Sequence, residues 1–450
     1  MDTRYQHCSP ELWGGAECTV NRINDQFRDQ LAYAGHYQRE GDIDRFASLG
    51  ITALRYPVLW ELHEPEERTI IDWSHTAIQL ERIRSKKIIP IAGLLHHGSG
   101  PAFTNLTDPQ FSEKLAAYAQ QVAERFPWLE YYTPVNEPLT TARFSGLYGF
   151  WYPHHSNDRS FAVMLINQLK GIVRSMQAIR NINPAAKLIQ TEDLAETHST
   201  PLLRYQKVFE NRRRWITYDL LCGKVSNSHF FWKYFSELGI PASDLEFFLD
   251  NPCPPYIMGF NYYVTSERYL DENLQLYPSH THGGNGKHSY ADTEAVRSCG
   301  ATGIKKILKN AWRRYRLPMA LTEVHLACTH DEQLRWFKEN WDNCVALKKA
   351  GIDIRAVTAW ALLGAFDWCT LLTKNEMCYE SGVFDIRNDH VRETPVAKML
   401  RKLAAGEAYD HPYFSQPGWW HRQDKKQKTL REEVVETMPD VSSSGNLSAY

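Results

Sequence analysis

Eight apolar runs rich in β-branched and aromatic residues punctuate the chain: ELWGGAE, ITALRYPVLW, KIIPIAGLL, YYTPVNE, AKLIQTEDL, YIMGFNYY, PMALTEV and AVTAWALL. The stretches between them, 42–50, 78–87, 109–126, 161–182, 201–221, 291–315 and 331–351, repeat apolar residues at helical spacing, and 391–403 closes the series. Continuous apolar strands alternating with helices demand a parallel sheet covered on its outer face. Eight such units predict an α/β chain closed into a (β/α)8 TIM barrel rather than an open sheet. The open, doubly wound alternative calls for a glycine-rich phosphate turn after the first strand. Gly14-Gly15 has no G-x-G-x-x-G continuation, and no G-x-x-x-x-G-K-[ST] occurs anywhere, so nucleotide phosphate binding has no support.

The 273–289 segment, with Pro278, Gly283, Gly284 and Gly286, reads as a long loop between the sixth and seventh strands. From about 416 the sequence turns polar, charged and finally Ser-rich. Residues 1–415 are therefore expected to form one barrel domain with extended βα loops, and 416–450 a flexible tail. A content of 43% apolar and 23% charged residues over 450 positions excludes the disordered and fibrous classes. With 51 basic against 53 acidic residues, the formal charge of −2 offers no footprint for nucleic acid or an anionic membrane, and a small neutral partner is expected. The start, MDTRYQHCSPELWGG, lacks a secretory signal, and no apolar segment reaches membrane-spanning length, so the chain is expected to be cytoplasmic. Nine scattered cysteines read as free thiols rather than a disulfide framework or zinc site, and no metal or cofactor is expected. The oligomeric state has no signature in the sequence.

In a barrel the reacting groups sit at the C-terminal ends of strands, so a carboxylate closing an apolar strand is the first candidate for chemistry. Glu137 ends YYTPVNEP, Glu192 and Asp193 end KLIQTEDL, Glu323 ends MALTEV, and Glu17 follows the first strand. Glycosidic cleavage needs two carboxyl groups across the scissile bond; at about 5 Å separation they give a covalent glycosyl-enzyme and net retention. The fourth and seventh strands face each other across a barrel mouth, which permits Glu137 and Glu323 to flank one sugar. A glutamate chosen at random is more often a salt-bridged surface group, and the neighbours decide otherwise here. Asn136 offers an amide to a sugar 2-hydroxyl, and Arg55 alternates onto the inward side of an apolar strand, where a buried guanidinium needs a carboxylate such as Glu323.

TPVNEP resembles the T-x-N-E-P acid/base motif of glycoside hydrolase family 1, the β-glucosidase-like retaining barrels. LWGGAECTVN is similar to that family's opening strand, LRYPVLW to R-F-S-x-x-W, LLHHGSGP to T-L-x-H-W-D-L-P and MGFNYY to G-x-N-Y-Y. LTEV stands where T-E-N-G carries the nucleophile, and AWALLGAFDW where the eighth strand ends in an aromatic motif. The resemblance implies Glu137 as acid/base, Glu323 as nucleophile, Asn136 on the 2-hydroxyl, and Arg55, Asn261 and Tyr263 supporting the pair. It implies His97 at the 3-hydroxyl region, with His96 in its place if the register slips by one. Trp360 becomes the platform under the ring and Trp368 lies near its edge, because an indole face buries the C–H side of a pyranose without asking for hydrogen bonds. Asn21 and Asp367 stand where the family has Gln and Glu, Gly364-Ala365 replaces Asp-Asn, and Val324-His325 replaces Asn-Gly. Asn21 and Asp367 are each shorter by one methylene, roughly 1 Å of reach, and an unmodified glucose would leave polar groups unpaired at about 1–3 kcal/mol apiece. NEPLTTARFSGLYGFWYPHH, DNPCPPYIMGFNYY and THGGNGKHSYAD also resemble a divergent glycosidase-like branch found fused to dTDP-4-dehydrorhamnose reductase-like domains, which implies modified sugars.

Two other readings compete. One is a catalytically weak carbohydrate-binding or regulatory barrel that keeps the cleft, since fold resemblance does not prove activity. The other is metal-dependent hydrolysis by the histidines of HTHGGNGKH, which lacks helical H-x-x-x-H support.

Overall fold

The computed structural model describes residues 9–67, 70–387 and 390–421. Eight parallel strands close into a barrel: β1 Glu11–Gly15, β2 Ala53–Pro57, β3 Ile89–Gly93, β4 Tyr131–Thr133, β5 Lys187–Asp193, β6 Ile257–Asn261, β7 Met319–Val324 and β8 Ile354–Ala359. Each lies beside its sequence neighbour and β8 returns to β1, so the eight apolar runs are the eight barrel strands. Helices Asp42–Ala47 (α1), Ser74–Ser85 (α2), Phe111–Arg125 (α3), Asp158–Ile182 (α4), Ile216–Leu221 (α5), Ile304–Tyr315 (α6), His330–Lys349 (α7) and Pro395–Ala404 (α8) follow the strands in turn. In α6 the buried residues Ile304, Ile307, Leu308, Ala311 and Tyr315 recur at the spacing of one helix face.

Inside the barrel, Trp13, Ala53, Ile91, Ile189, Ile257, Ala320 and Ala356 form a separate apolar plug. Because strand side chains alternate with period two, the next inward positions follow by counting: Gly15, Arg55, Thr322 and Thr358 lie one step nearer the C-terminal mouth. The interior thus changes from apolar to polar along its axis, and the mouth is where buried charge collects. Parallel strands covered on both faces read as unbroken apolar runs, which explains why the sequence shows them.

Three expectations need correction. Residues 201–221 are not one helix: Arg204–Arg213 ends before α5, and Arg214 between them turns its guanidinium onto the carbonyl of Ala195 at 2.8 Å. Residues 291–315 are not helical throughout. Ser289–Glu294 is a strand, and α6 begins only after Gly300 and Gly303, whose φ values of 84° and 83° no helix interior allows. The 273–289 segment holds two short turns and then a hairpin, in which His282–Gly284 pairs antiparallel with Ser289–Glu294. Asn285-Gly286 makes its turn, with Asn285 Oδ1 accepting from the N–H groups of Lys287 and His288, and this is the hairpin signal the loop reading passed over. These strands join Glu267–Asp271 and Glu196–Ser199 in a four-stranded sheet beyond the ends of β5 and β6.

Within the segment read as a tail, Trp420 packs edge-on against Trp336 at 5.0 Å and donates to Glu339 at 2.9 Å. Residues 422–450 lie outside the described residues. No described helix is long and apolar enough to cross a membrane.

Candidate active site

The arc of the mouth from β4 round through β5 and β6 to β7, its acid wall, carries the two candidate carboxylates at its two ends. Beyond β4, Asn136 bridges His96 on one side and Thr191 of β5 on the other. Glu137 then adopts a left-handed conformation, φ 46°, and Pro138 starts the helix Pro138–Ala142. Such a backbone is costly for glutamate and persists where the surroundings fix the direction of its side chain. β7 reaches the same wall through a bulge: Leu321 pairs with Phe260 and Glu323 with Asn261, leaving Thr322 as an extra residue. Strict alternation would send Glu323 outward, and the bulge turns it in.

Both carboxylates are buried and both are held. Arg55 Nη1 donates to Glu323 Oε1 at 2.8 Å, Tyr263 OH donates to Oε2, and Arg55 Nη2 reaches Asn136 Oδ1 at 2.6 Å. Asn261, which pairs with Glu323 across β6 and β7, donates to Glu137 Oε1 and accepts from the Thr322 hydroxyl at 2.7 Å. Burial pushes Glu137 well above the usual carboxylate range, and the charge on Glu323 pushes it further. Burial raises Glu323 as well, while Arg55 and Tyr263 pull it back. The two groups sit in one low-dielectric pocket with environments that separate their protonation.

His96 and His97 complete this wall. Asn136 Nδ2 faces His96 Nε2 at 3.3 Å and His97 Nε2 at 3.2 Å, and His97 Nε2 lies 3.9 Å from Glu137 Oε2. Burial, then the charge on Arg55, holds the His97 imidazole down at about 3, and His96 is lowered more strongly by burial and by His97. Both rings are neutral at physiological pH. A sugar hydroxyl meeting the Asn136 amide would replace one of these two acceptors.

The opposite wall is built from β1, the loop after it, and the loop after β8. Gly15 pairs with Arg55 and lies under Trp360, where an added Cβ would stand 2.5 Å from the indole. Trp360 also has the Arg55 guanidinium 4.7 Å from its ring and His96 parallel at 5.5 Å. Trp368 meets His97 edge-on at 5.5 Å. Asp367 Oδ1 accepts from the backbone N–H groups of Cys378 at 2.8 Å and Glu376 at 3.3 Å. Asn21 is buried in the hairpin of Val20–Ile23 with Gln26–Asp29, and its Nδ2 has no partner among the described residues; neither has Trp368 Nε1.

The glycosyl hydrolase family 1 profile matches residues 13–376, which include Asn21, Arg55, His96, His97, Asn136, Glu137, Asn261, Tyr263, Glu323, Trp360, Asp367 and Trp368. The chain belongs to that family. It is thereby a glycoside hydrolase. Among solved structures it is similar to the Thermotoga maritima β-glucosidase in complex with deoxynojirimycin, with 15% identity, 89% of this chain and 99% of that chain covered, and a TM-score of 0.72. A second structure of that organism's family 1 β-glucosidase gives 14% identity, 89% and 98% coverage and 0.71. The complex of its family 1 glycoside hydrolase with a cyclophellitol analogue gives 14%, 90%, 99% and 0.72.

Seen as a family 1 barrel, the chain assembles Arg55, His97, Asn136, Glu137, Asn261, Tyr263 and Glu323 into one hydrogen-bonded cluster, in which Thr322 links Arg55 to Asn261. Trp360 and Trp368 touch it through His96 and His97, whereas no hydrogen bond joins Asn21 or Asp367 to it among the described residues. Glu192 plays a different part from the pair: its Oε1 accepts from Leu139 N at 2.8 Å and from the Thr217 hydroxyl, pinning the helix after Glu137 to α5. Sequence reasoning missed Thr191, whose hydroxyl donates to Asn136 Oδ1 at 2.8 Å, and Thr141, which lies 3.3 Å from His97 Nδ1. Thr141 stands four residues after Glu137, one helical turn on, and that spacing was the available signal. The histidines of the 282–288 hairpin point elsewhere, His282 Nε2 to the Tyr277 carbonyl and His288 Nδ1 to Tyr205 OH. Among the described residues no three His, Cys, Asp or Glu side chains converge as metal ligands.

Proposed function

We propose that this chain is a retaining β-glycosidase that hydrolyses a β-linked sugar by double displacement, with Glu137 as general acid/base and Glu323 as nucleophile. The observation that carries the reading is a pair of buried acids, Glu137 held by the Asn261 amide and Glu323 on the strand position that pairs with Asn261, of which only Glu323 has a cation as partner. Glu323 attacks the anomeric carbon as Glu137 gives its proton to the departing glycosidic oxygen, leaving a glycosyl ester on Glu323. Esterification removes the charge that helps to keep Glu137 protonated. The Glu137 carboxylate then takes a proton from water as that water attacks the anomeric carbon and Glu323 departs. One electrostatic coupling therefore serves both steps: it makes Glu137 an acid first and a base second.

In this reading Asn136 meets the 2-hydroxyl, His97 the 3-hydroxyl region, and Trp360 and Trp368 the apolar surface of the ring, with Asn21 and Asp367 at the far hydroxyls. Sugar-like inhibitors bound in the Thermotoga maritima structures support a carbohydrate substrate here. A panel of nitrophenyl β-glycosides with wild type, Glu137→Gln and Glu323→Gln tests the proposal. Turnover of at least one glycone by wild type and its loss in Glu323→Gln is expected. If every glycone is inert while wild type and Glu323→Gln bind sugars equally, the chain is a carbohydrate-binding barrel instead.

A further inference from the structure

Glu17 follows Trp13 and Gly15 in alternation while its neighbours Ala16, Cys18 and Val20 pack into an apolar cluster, and it is 4% exposed. Its Oε1 accepts from Thr19 N at 2.9 Å and from the Thr19 hydroxyl at 2.6 Å. The carboxylate is near enough to Glu323 to feel its charge and to Trp368 for the indole N–H to help hold it ionised, yet that N–H completes no hydrogen bond among the described residues. Among the described residues Glu17 forms no ion pair, and the largest influences on it are burial, Thr19, Glu323 and Trp368. The segment is also fixed to the facing loop: Gln30 N donates to Thr19 O at 3.1 Å, while the Gln30 side chain brackets the Phe366 backbone at 2.9 and 3.0 Å, just before Asp367 and Trp368.

We infer that Glu17 is a specificity-determining residue of the sugar pocket and selects a glycone bearing a basic amino group on the part of the ring remote from the anomeric carbon. The inference rests on the glycosidase reading for the pocket's contents, but not on its chemistry. Among the described residues this wall offers a buried acid without an ion pair and, on the same strand-side series two and four residues on, the Thr19 hydroxyl that serves it and the Asn21 amide, whose Nδ2 has no acceptor. A hydroxylated sugar is matched only by the protonated carboxyl, whereas an ammonium supplies the charge that the ionised form lacks and a neighbouring ring hydroxyl takes the Asn21 donor. Burial, with Glu323 adding to it, pushes Glu17 up to about 7, so a bound ammonium would displace a proton that the empty pocket retains near neutrality.

Isothermal titration tests this with the methyl β-glucosides carrying an amino group in place of the 3- or 4-hydroxyl, against methyl β-D-glucopyranoside. For wild type at roughly pH 7.5, at least one amino sugar is expected to bind about tenfold or more tightly than the parent, a preference that shrinks as the pH falls through 7. In Glu17→Gln the ratio is expected to fall to about one. Equal affinities in wild type, or a preference that survives the substitution, would overturn the inference. The wild-type pH series stands even if the variant folds poorly. Because the readout is binding, a preference seen without turnover would sink the glycosidase reading alone, and turnover without a preference would sink only this inference.

Discussion

The two walls of the mouth are built on opposite terms. On the acid wall the reacting groups are tied to one another: Glu323 has Arg55 and Tyr263, Glu137 has Asn261, and Asn136 is held by Arg55 and Thr191. On the facing wall, among the described residues, Asn21 Nδ2 has no acceptor and Glu17, held by the Thr19 donors and the Trp368 indole, has no ion pair. Buried polar groups are normally satisfied, and those that are not are ordinarily completed by something else. The comparison separates a reaction that is preorganised by the protein alone from a specificity that only a ligand completes.

The largest effects should fall on the acid wall. Glu323→Gln should lower turnover on the order of 10⁴-fold or more while the melting temperature shows the fold intact. Glu137→Gln should cost about 10²–10⁴-fold with poor leaving groups and far less with dinitrophenyl aglycones, since an activated aglycone leaves unprotonated; equal losses would remove Glu137 from its role. Arg55→Met strands the buried Glu323 charge and should destabilise the fold by about 3–5 kcal/mol in denaturant melts. On the facing wall the sign reverses. Glu17 holds its proton more tightly when folded, about 7 against an ordinary 4.5, so its contribution to stability is present below that range and lost as pH rises through 7. Glu17→Gln should therefore melt higher than wild type at pH 8 and lose that advantage near pH 4.5; a lower melting temperature at pH 8 would show that the carboxylate has a partner after all.

The pH profile of kcat/KM sharpens the same contrast. Its acid limb should lie above 4.5, because Glu323 is raised by burial and must be ionised, and its alkaline limb should follow the strongly raised Glu137. Removing the Tyr263 hydroxyl by Tyr263→Phe takes away a donor that lowers Glu323 and should move the acid limb upward. The smallest effect expected is a gain: Asn21→Gln restores one methylene of reach and should improve the KM of glucosides by about tenfold at most.

The barrel was legible because all eight strands are apolar runs with a covered face on each side, and the acid pair because two glutamates close such runs beside Asn136 and opposite Arg55. The outer sheet was not, since Glu196–Ser199, Glu267–Asp271 and Ser289–Glu294 are short and largely polar, with no period strong enough to mark a strand. Nor could the spacing show that Glu323 needs the bulge at Thr322 to face inward, because register is a property of the pair of strands and not of either one. Glu17 was visible as a carboxylate after a strand, but its lack of a counter-ion depends on what the distant 366–368 segment brings alongside it.

A 2-deoxy-2-fluoro glycoside with a dinitrophenyl leaving group, incubated with the enzyme and followed by peptide mapping in a mass spectrometer, tests the central claim directly. The fluorine slows both steps and the good leaving group restores only the first, so the covalent intermediate accumulates. One glycosyl unit on the peptide containing Glu323 is the predicted result. A label on Glu17, Glu137 or Asp193, or no label from a glycone that the enzyme demonstrably hydrolyses, would contradict the account.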